Sequence, residues 1–203
     1  MIVIIDYKTG NIGSLANMLK KIGAKAVVSS NPEEIKKAEK LILPGVGAFD
    51  VGMENLKNLG LVSLLKDRVR NKKTPILGIC LGMQLFAQKS KEGTLPGLGW
   101  IEGEVKKFKF NNNKFKIPHM GWNTIEIKKE DTLFKNMEGE LRFYFVHSYY
   151  FVPFKKDNVL ATTNYGINFT SIIKKENIIG VQFHPEKSHK FGMKLLDNFV
   201  KLC

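Results

Sequence analysis

The sequence predicts an α/β fold: a mixed, mostly parallel central sheet with helices on both faces. Two observations carry that prediction. The first half alternates short apolar runs with amphipathic helical patterns, as a parallel sheet buried on both sides requires. The second half turns into closely spaced strand-like runs separated by turn residues, followed by one last amphipathic helix. With 203 residues, 43% of them apolar, the chain suits one domain over 1–203.

In order, strands are expected at 1–6, 24–29, 40–43 and 75–79. Between the first two, Ile12, Leu15, Ala16, Leu19 and Ile22 recur at helical spacing, and Gly23 ends the run. Asn31 before Pro32 supplies a cap and a first-turn proline for the next helix. Residues 52–70 hold one or two more, and another helix is expected from Cys80 to about Lys89, stopped by the Gly- and Pro-rich stretch 92–99. Beyond it, runs rich in β-branched and aromatic residues at 100–110, 115–117, 123–128, 141–152, 159–163, 168–174 and 178–183 read as strands. The asparagines at 111–113 read as a hairpin tip. A helix over 187–202 closes the chain, amphipathic through Phe191, Leu195, Leu196, Phe199 and Val200.

Composition narrows the function classes. The opening apolar run has no basic segment ahead of it, and charges or glycines interrupt every later one before the roughly 20 residues a spanning helix needs. No signal peptide or membrane contact is expected, and the location expected is the cytoplasm. Cys80 and Cys203 form no spaced framework, so no disulfide is expected. The net charge of +13 raises nucleic acid as a partner, but the lysines come in scattered pairs such as Lys20-Lys21, Lys72-Lys73 and Lys128-Lys129. They read as a solubilising surface, with no nucleic acid bound; attraction to an acidic partner protein is also compatible with them. No metal cluster or dinucleotide fingerprint is visible, so no cofactor or metal is expected.

The chemistry concentrates in three places. Gly78-Ile79-Cys80-Leu81-Gly82 follows an apolar strand and opens a helix, the setting of a nucleophile elbow whose glycines make room for neighbouring strands. Position at a helix N-terminus favours the reactive thiolate. A buried cysteine packing as a small hydrophobe is the plain alternative, and the flanking pattern argues against it. Val181-Gln182-Phe183-His184-Pro185-Glu186 supplies a base and a carboxylate to fix its tautomer, two residues apart on what reads as a strand end. His119, His147 and His189 compete as bases, but His184 alone has a carboxylate at that spacing directly after an apolar strand. Leu43-Pro44-Gly45-Val46-Gly47, also at a strand end, lets backbone N–H groups turn toward a developing oxyanion.

Together PGVGAF, GICLGMQLF, PHMGWN, FYFVHSYYF and VQFHPEKS, in this order along nearly the whole chain, resemble the glutaminase subunits of imidazole glycerol phosphate synthase among the class I glutamine amidotransferases. The resemblance implies a flavodoxin-like α/β fold and a Cys80, His184, Glu186 triad. It implies an oxyanion hole from the backbone of Val46, or the adjacent Gly47, and of Leu81. Gly47, Gln84, Ser148 and Tyr149 match positions lining the glutamine pocket. Asn11, Met120, Trp122 and Lys187 match the face that meets the cyclase subunit, a (β/α)8 barrel to which ammonia passes. One departure touches that face: where the family has glycine after Asp-Tyr, this chain has Lys8 after Asp6-Tyr7.

The implied activity is hydrolysis of L-glutamine through a Cys80 thioester, with ammonia carried to a bound ribonucleotide to give imidazole glycerol phosphate and an aminoimidazole carboxamide ribotide. A stand-alone cysteine hydrolase would share Cys80 and His184, but Glu186 and the PHMGWN segment favour the amidotransferase. A non-catalytic binding subunit would not need all three triad positions filled. Paralogous glutaminases that feed barrel-like enzymes amidinating surface sugars form the remaining alternative.

Overall fold

The computed structural model describes residues 1–111 and 114–203. Asn112 and Asn113, two of the three asparagines expected at a hairpin tip, lie outside the described residues.

The first half follows the expected alternation: β1 (Ile2–Ile5), α1 (Ile12–Lys21), β2 (Ala26–Ser29), α2 (Pro32–Lys37), β3 (Lys40–Leu43), α3 (Phe49–Asn58), α4 (Leu61–Lys66), β4 (Ile76–Ile79) and α5 (Leu81–Gln84). Asn31 caps α2 as its sequence suggests, its side-chain oxygen accepting the Glu33 N–H at 2.9 Å. The helix expected from Cys80 to Lys89 is only one turn long. Its continuation is blocked by the 97–101 loop, whose N–H groups take the carbonyls a longer helix would use: Leu98 donates to Leu85 O at 2.8 Å, and Trp100 and Ile101 to Phe86 O at 3.0 and 3.1 Å.

The second half holds β5 (Lys89–Ser90), β6 (Gly103–Lys107), β7 (His119–Thr124), β8 (Glu126–Ile127), β9 (Arg142–His147), β10 (Tyr149–Pro153), β11 (Val159–Tyr165), β12 (Ile167–Lys175), β13 (Ile178–Val181) and α6 (His189–Leu202). The strand expected at 115–117 does not form. The Tyr165 hydroxyl takes the Lys116 carbonyl at 3.0 Å, and the Phe115 ring packs 5.1 Å from Tyr165 instead of standing on a ladder. The run expected over 141–152 is two strands, because the chain changes partners at Ser148: β9 pairs with β7, and β10 with β6.

The main sheet has the order β2-β1-β3-β4-β13-β12-β11-β8, parallel through β13 and antiparallel beyond it. Alternate residues of β1 face opposite layers. Ile2 and Ile4 pack with Leu15 and Leu19 of α1 and Leu195, Leu196 and Phe199 of α6, while Val3 and Ile5 pack with Ile35, Phe49, Leu56, Leu61 and Leu65 of α2 to α4. Removing a side chain such as Leu196 from this core would cost about 2–5 kcal/mol. The double burial fixes the register, so the C-terminal ends of β1, β3, β4 and β13 finish together, where open α/β sheets place their ligands.

Candidate active site

Cys80 leaves β4 with φ 53° and ψ −107°, a conformation an L-residue adopts only under strain. Its N–H still continues the ladder, donating to Val181 O at 2.8 Å. The glycines of the elbow are steric necessities: a Cβ at Gly82 would stand 1.8 Å from Leu43 O, and one at Gly78 would stand 2.6 Å from the Phe86 ring. The helix behind Cys80 is a single turn, so the macrodipole on which the sequence argument drew contributes little. The strong electrostatic neighbour is His184.

His184 and Glu186 do not lie on a strand, because β13 ends at Val181 and Pro185 opens a 3-10 turn over Pro185–Lys187. Ser188 holds that turn against β9: its hydroxyl donates to His184 O at 2.6 Å and accepts the Tyr144 N–H at 3.0 Å, while His184 N–H donates to Tyr144 O at 2.9 Å. The turn brings His184 Nδ1–H to Glu186 Oε1 at 2.8 Å. That bond orients the ring and leaves Nε2, buried and without a well-formed hydrogen bond, for Cys80. Burial opposes a charge on this ring, but the charge and closeness of Cys80, the hydrogen bond to Glu186 and the Glu186 charge outweigh it and push the pKa up to about 10. Gln182, which sequence reasoning passed over, donates to Cys80 Sγ at 3.7 Å and accepts from Gln84 Nε2 at 3.0 Å.

Cys80 opens into a cavity of about 490 Å³ lined by Val46, Gly47, Leu81, Gln84, Ser148 and Tyr149, all expected from the sequence. Pro118, at a cis peptide bond with Ile117, also lines it, as do Val146, Glu92 and His147. Glu92 Oε2 accepts the Phe49 N–H at 2.9 Å. Burial and the nearby Asp50 charge raise its pKa, against the opposing pull of the Phe49 N–H and Lys107. Its signal in the sequence was masked by the loop composition around it. Among the expected oxyanion donors, Leu81 N–H is engaged, donating to Gly45 O at 3.2 Å, and Gly47 sits at φ 111°.

His147 differs from His184 in having both nitrogens committed. Its Nδ1–H donates to Tyr149 O at 2.8 Å, which leaves Nε2 to accept from His119 Nδ1 at 3.0 Å. His119 Nε2 in turn accepts from Asn123 Nδ2 at 3.3 Å. Burial lowers the pKa of His119 to about 4; burial and the neighbouring His119 and His184, against the Tyr149 carbonyl, lower that of His147 to about 3. The third competing base, His189, is exposed and stacks on Trp122 with centroids 5.4 Å apart.

Of the expected partner-facing residues, Met120 is 61% and Trp122 42% exposed. Trp122 and the exposed Lys187 flank Tyr144, at 6.1 and 5.6 Å from its ring. Asn11 is exposed at the start of α1, whose Ser14 and Asn17 share a depression with Lys187. Lys8 is exposed at φ 64°, its N–H donating to Asp6 Oδ1 at 3.1 Å. Glycine adopts that left-handed backbone without strain, whereas a lysine does so at a cost. Among the described residues no three His, Cys, Asp or Glu side chains are arranged to hold a metal ion, and no helix is long and apolar enough to cross a membrane.

The chain is similar to known proteins over nearly its whole length. The chain is 58% identical over 201 residues to an imidazole glycerol phosphate synthase subunit HisH 2 from Methanococcus maripaludis, covering 99% of each chain. It is 52% identical to the HisH 2 subunit of Pseudomonas aeruginosa and 51% to the HisH 1 subunit of Campylobacter jejuni, over 100% of each chain. In fold it is similar to a crystal structure of a glutamine amidotransferase, with a TM-score of 0.76 at 19% identity covering 99% and 98% of the two chains. PurLQS from Thermotoga maritima gives 0.70 at 18% identity, covering 98% and 96%. Glutamine amidotransferase class-I matches residues 3–203, and with relatives this similar over their full length the chain belongs to the class-I glutamine amidotransferase family.

Proposed function

We propose that this chain is the glutaminase subunit of an imidazole glycerol phosphate synthase, a single amidotransferase domain with Cys80 as nucleophile. The observation that carries the reading is the orientation of the His184 ring, held by Glu186 at Nδ1 so that Nε2 is left to serve Cys80. Cys80 Sγ attacks the side-chain amide carbon of glutamine, and the oxyanion is held by N–H groups of Leu81 and of Val46 or Gly47. His184 gives its proton to the departing ammonia, leaving a thioester on Cys80. It then takes a proton from water as the water attacks the thioester, releasing glutamate and restoring the thiolate–imidazolium pair. Glu92, a carboxylate on the cavity wall, suits the substrate's α-ammonium group.

Because Leu81 N–H is engaged by Gly45 O, the isolated chain should hydrolyse glutamine slowly. A docked partner would raise kcat more than it lowers KM by selecting the open state. The partner in this reading is a (β/α)8 cyclase seated on the face of Asn11, Met120, Trp122 and Lys187, in the cytoplasm. Ammonia crosses to its bound ribonucleotide, giving imidazole glycerol phosphate and the aminoimidazole carboxamide ribotide. Mixing the chain with the histidine-pathway cyclase of the same cell tests this: glutamine should replace ammonium salts as nitrogen source. A cyclase that works with ammonium and gains nothing from the chain plus glutamine would reject that partner.

A second reading has its own support. All three relatives named above carry a copy numeral, and Lys8 alters the docking face. A paralogue feeding a cyclase-like enzyme that amidinates surface sugars would keep the same triad and change that face. Failure of the cyclase test with glutaminase activity intact would favour it.

A further inference from the structure

The turn that would supply one side of the oxyanion hole rests on a tyrosine whose buried hydroxyl makes no well-formed hydrogen bond. Tyr7 follows β1 at the end of the sheet that carries Cys80 and is fully buried. Neither its hydroxyl nor that of Thr9 has a hydrogen-bond partner, although Thr9 lies close enough to act on the phenol. The Tyr7 hydroxyl is aimed at Gly45: a Cβ built on that glycine would stand 2.2 Å from it and 3.0 Å from Leu81 Cβ. Buried hydroxyls without partners are costly and rare, and one at a functional turn calls for an occupant.

The same glycine carries the carbonyl that holds Leu81 N–H, at 3.2 Å. Freeing that donor for an oxyanion means moving the Gly45 carbonyl, and a buried carbonyl that leaves one donor needs another. We propose that Tyr7 is a positioning residue for glutamine hydrolysis: its hydroxyl takes the Gly45 carbonyl when the Gly45–Val46 peptide turns, releasing Leu81 N–H and presenting Val46 N–H to the oxyanion. One hydrogen bond is exchanged for another, and no covalent bond changes. Gly45 lacks the Cβ that would collide with the hydroxyl, and Gly47 at φ 111° gives the chain beyond Val46 freedom to follow. The proposal rests on the reading of Cys80 as the nucleophile.

Tyr7→Phe removes the hydroxyl and keeps the ring. The measurements are thermal melting of the whole chain, and kcat and KM for glutamine with the chain alone and with its cyclase. In the resting state the variant loses only an orphaned group, so its melting temperature should rise by about 2–4 °C. In the complex kcat should fall about tenfold at unchanged KM, because the turned peptide has lost its donor. A lower melting temperature would mean that the hydroxyl is already bonded at rest, and a wild-type kcat in the complex would mean that the turn does not use it; either overturns the proposal. Cys80→Ala separates the role of Tyr7 from that of the nucleophile. Glutamine turnover that survives it sinks the nucleophile reading and this proposal together, whereas turnover that it abolishes and Tyr7→Phe retains sinks this proposal alone.

Discussion

His184 and His147 are both buried close to Cys80, yet their partners tune them in opposite directions. His184 meets a carboxylate and a thiol, and its pKa is pushed up to about 10 despite burial. His147 meets a carbonyl and another neutral imidazole, and burial drives its pKa down to about 3. The first has one nitrogen held by Glu186 and the other left for Cys80; the second has both engaged, by Tyr149 and His119. Burial alone therefore does not select the base. The ring suited to the proton work is the one whose partners, a carboxylate and a thiol, stabilise its protonated form against burial.

The largest expected effect breaks this comparison most sharply. His184→Asn should lower kcat for glutamine by on the order of 10⁴-fold or more, while His147→Asn, which disturbs the cavity wall but leaves the base, should cost about tenfold; steady-state glutamate release measures both. Comparable losses would end the distinction. Glu186→Gln should be milder than Cys80→Ala, by about tenfold or more, because nucleophile and base remain and only the tautomer and charge support are lost.

Stability against pH should carry both signatures. The folded pKa of His184 lies above the ordinary 6.5, so its contribution is full below pH 6.5 and is lost as pH climbs through about 10. Those of His119 and His147 lie below 6.5, so their contribution is full above pH 6.5 and is lost as pH falls through about 4 and then about 3. Urea unfolding at pH 4.5, 6.5 and 9 in wild type and His184→Asn reads this, and only the alkaline limb should flatten in the variant. The smallest effect concerns the docking face. Lys8→Gly relieves a left-handed lysine and should raise stability by up to about 1 kcal/mol without changing glutamine hydrolysis by the isolated chain.

The sequence exposed the parts of the site that are local along the chain. Cys80 between its two glycines and His184 two residues from Glu186 were legible, although the latter pair meets across a 3-10 turn and not along a strand. Parts assembled by register were not. His119 and His147 face each other only because β7 and β9 pair them across 28 residues, and nothing near either residue announces the other. Glu92 looked like loop composition because its partner, the Phe49 N–H, lies 43 residues away. The length of α5 is not legible for the same reason: the groups that end it come from the loop at 97–101. Local hydrophobic spacing gave the parallel half of the sheet within a residue or two, whereas in the antiparallel half the choice of partner decided where strands begin and stop.

The central claim, that Cys80 is the nucleophile and His184 its base, can be read in one labelling experiment. Treating the whole chain with a glutamine-like diazoketone and following intact mass and peptide maps should show one equivalent of label on Cys80. Its appearance should parallel the loss of glutaminase activity, be slowed by excess L-glutamine and be strongly slowed in His184→Asn. Label on Cys203 instead, or full activity with Cys80 modified, would contradict the account.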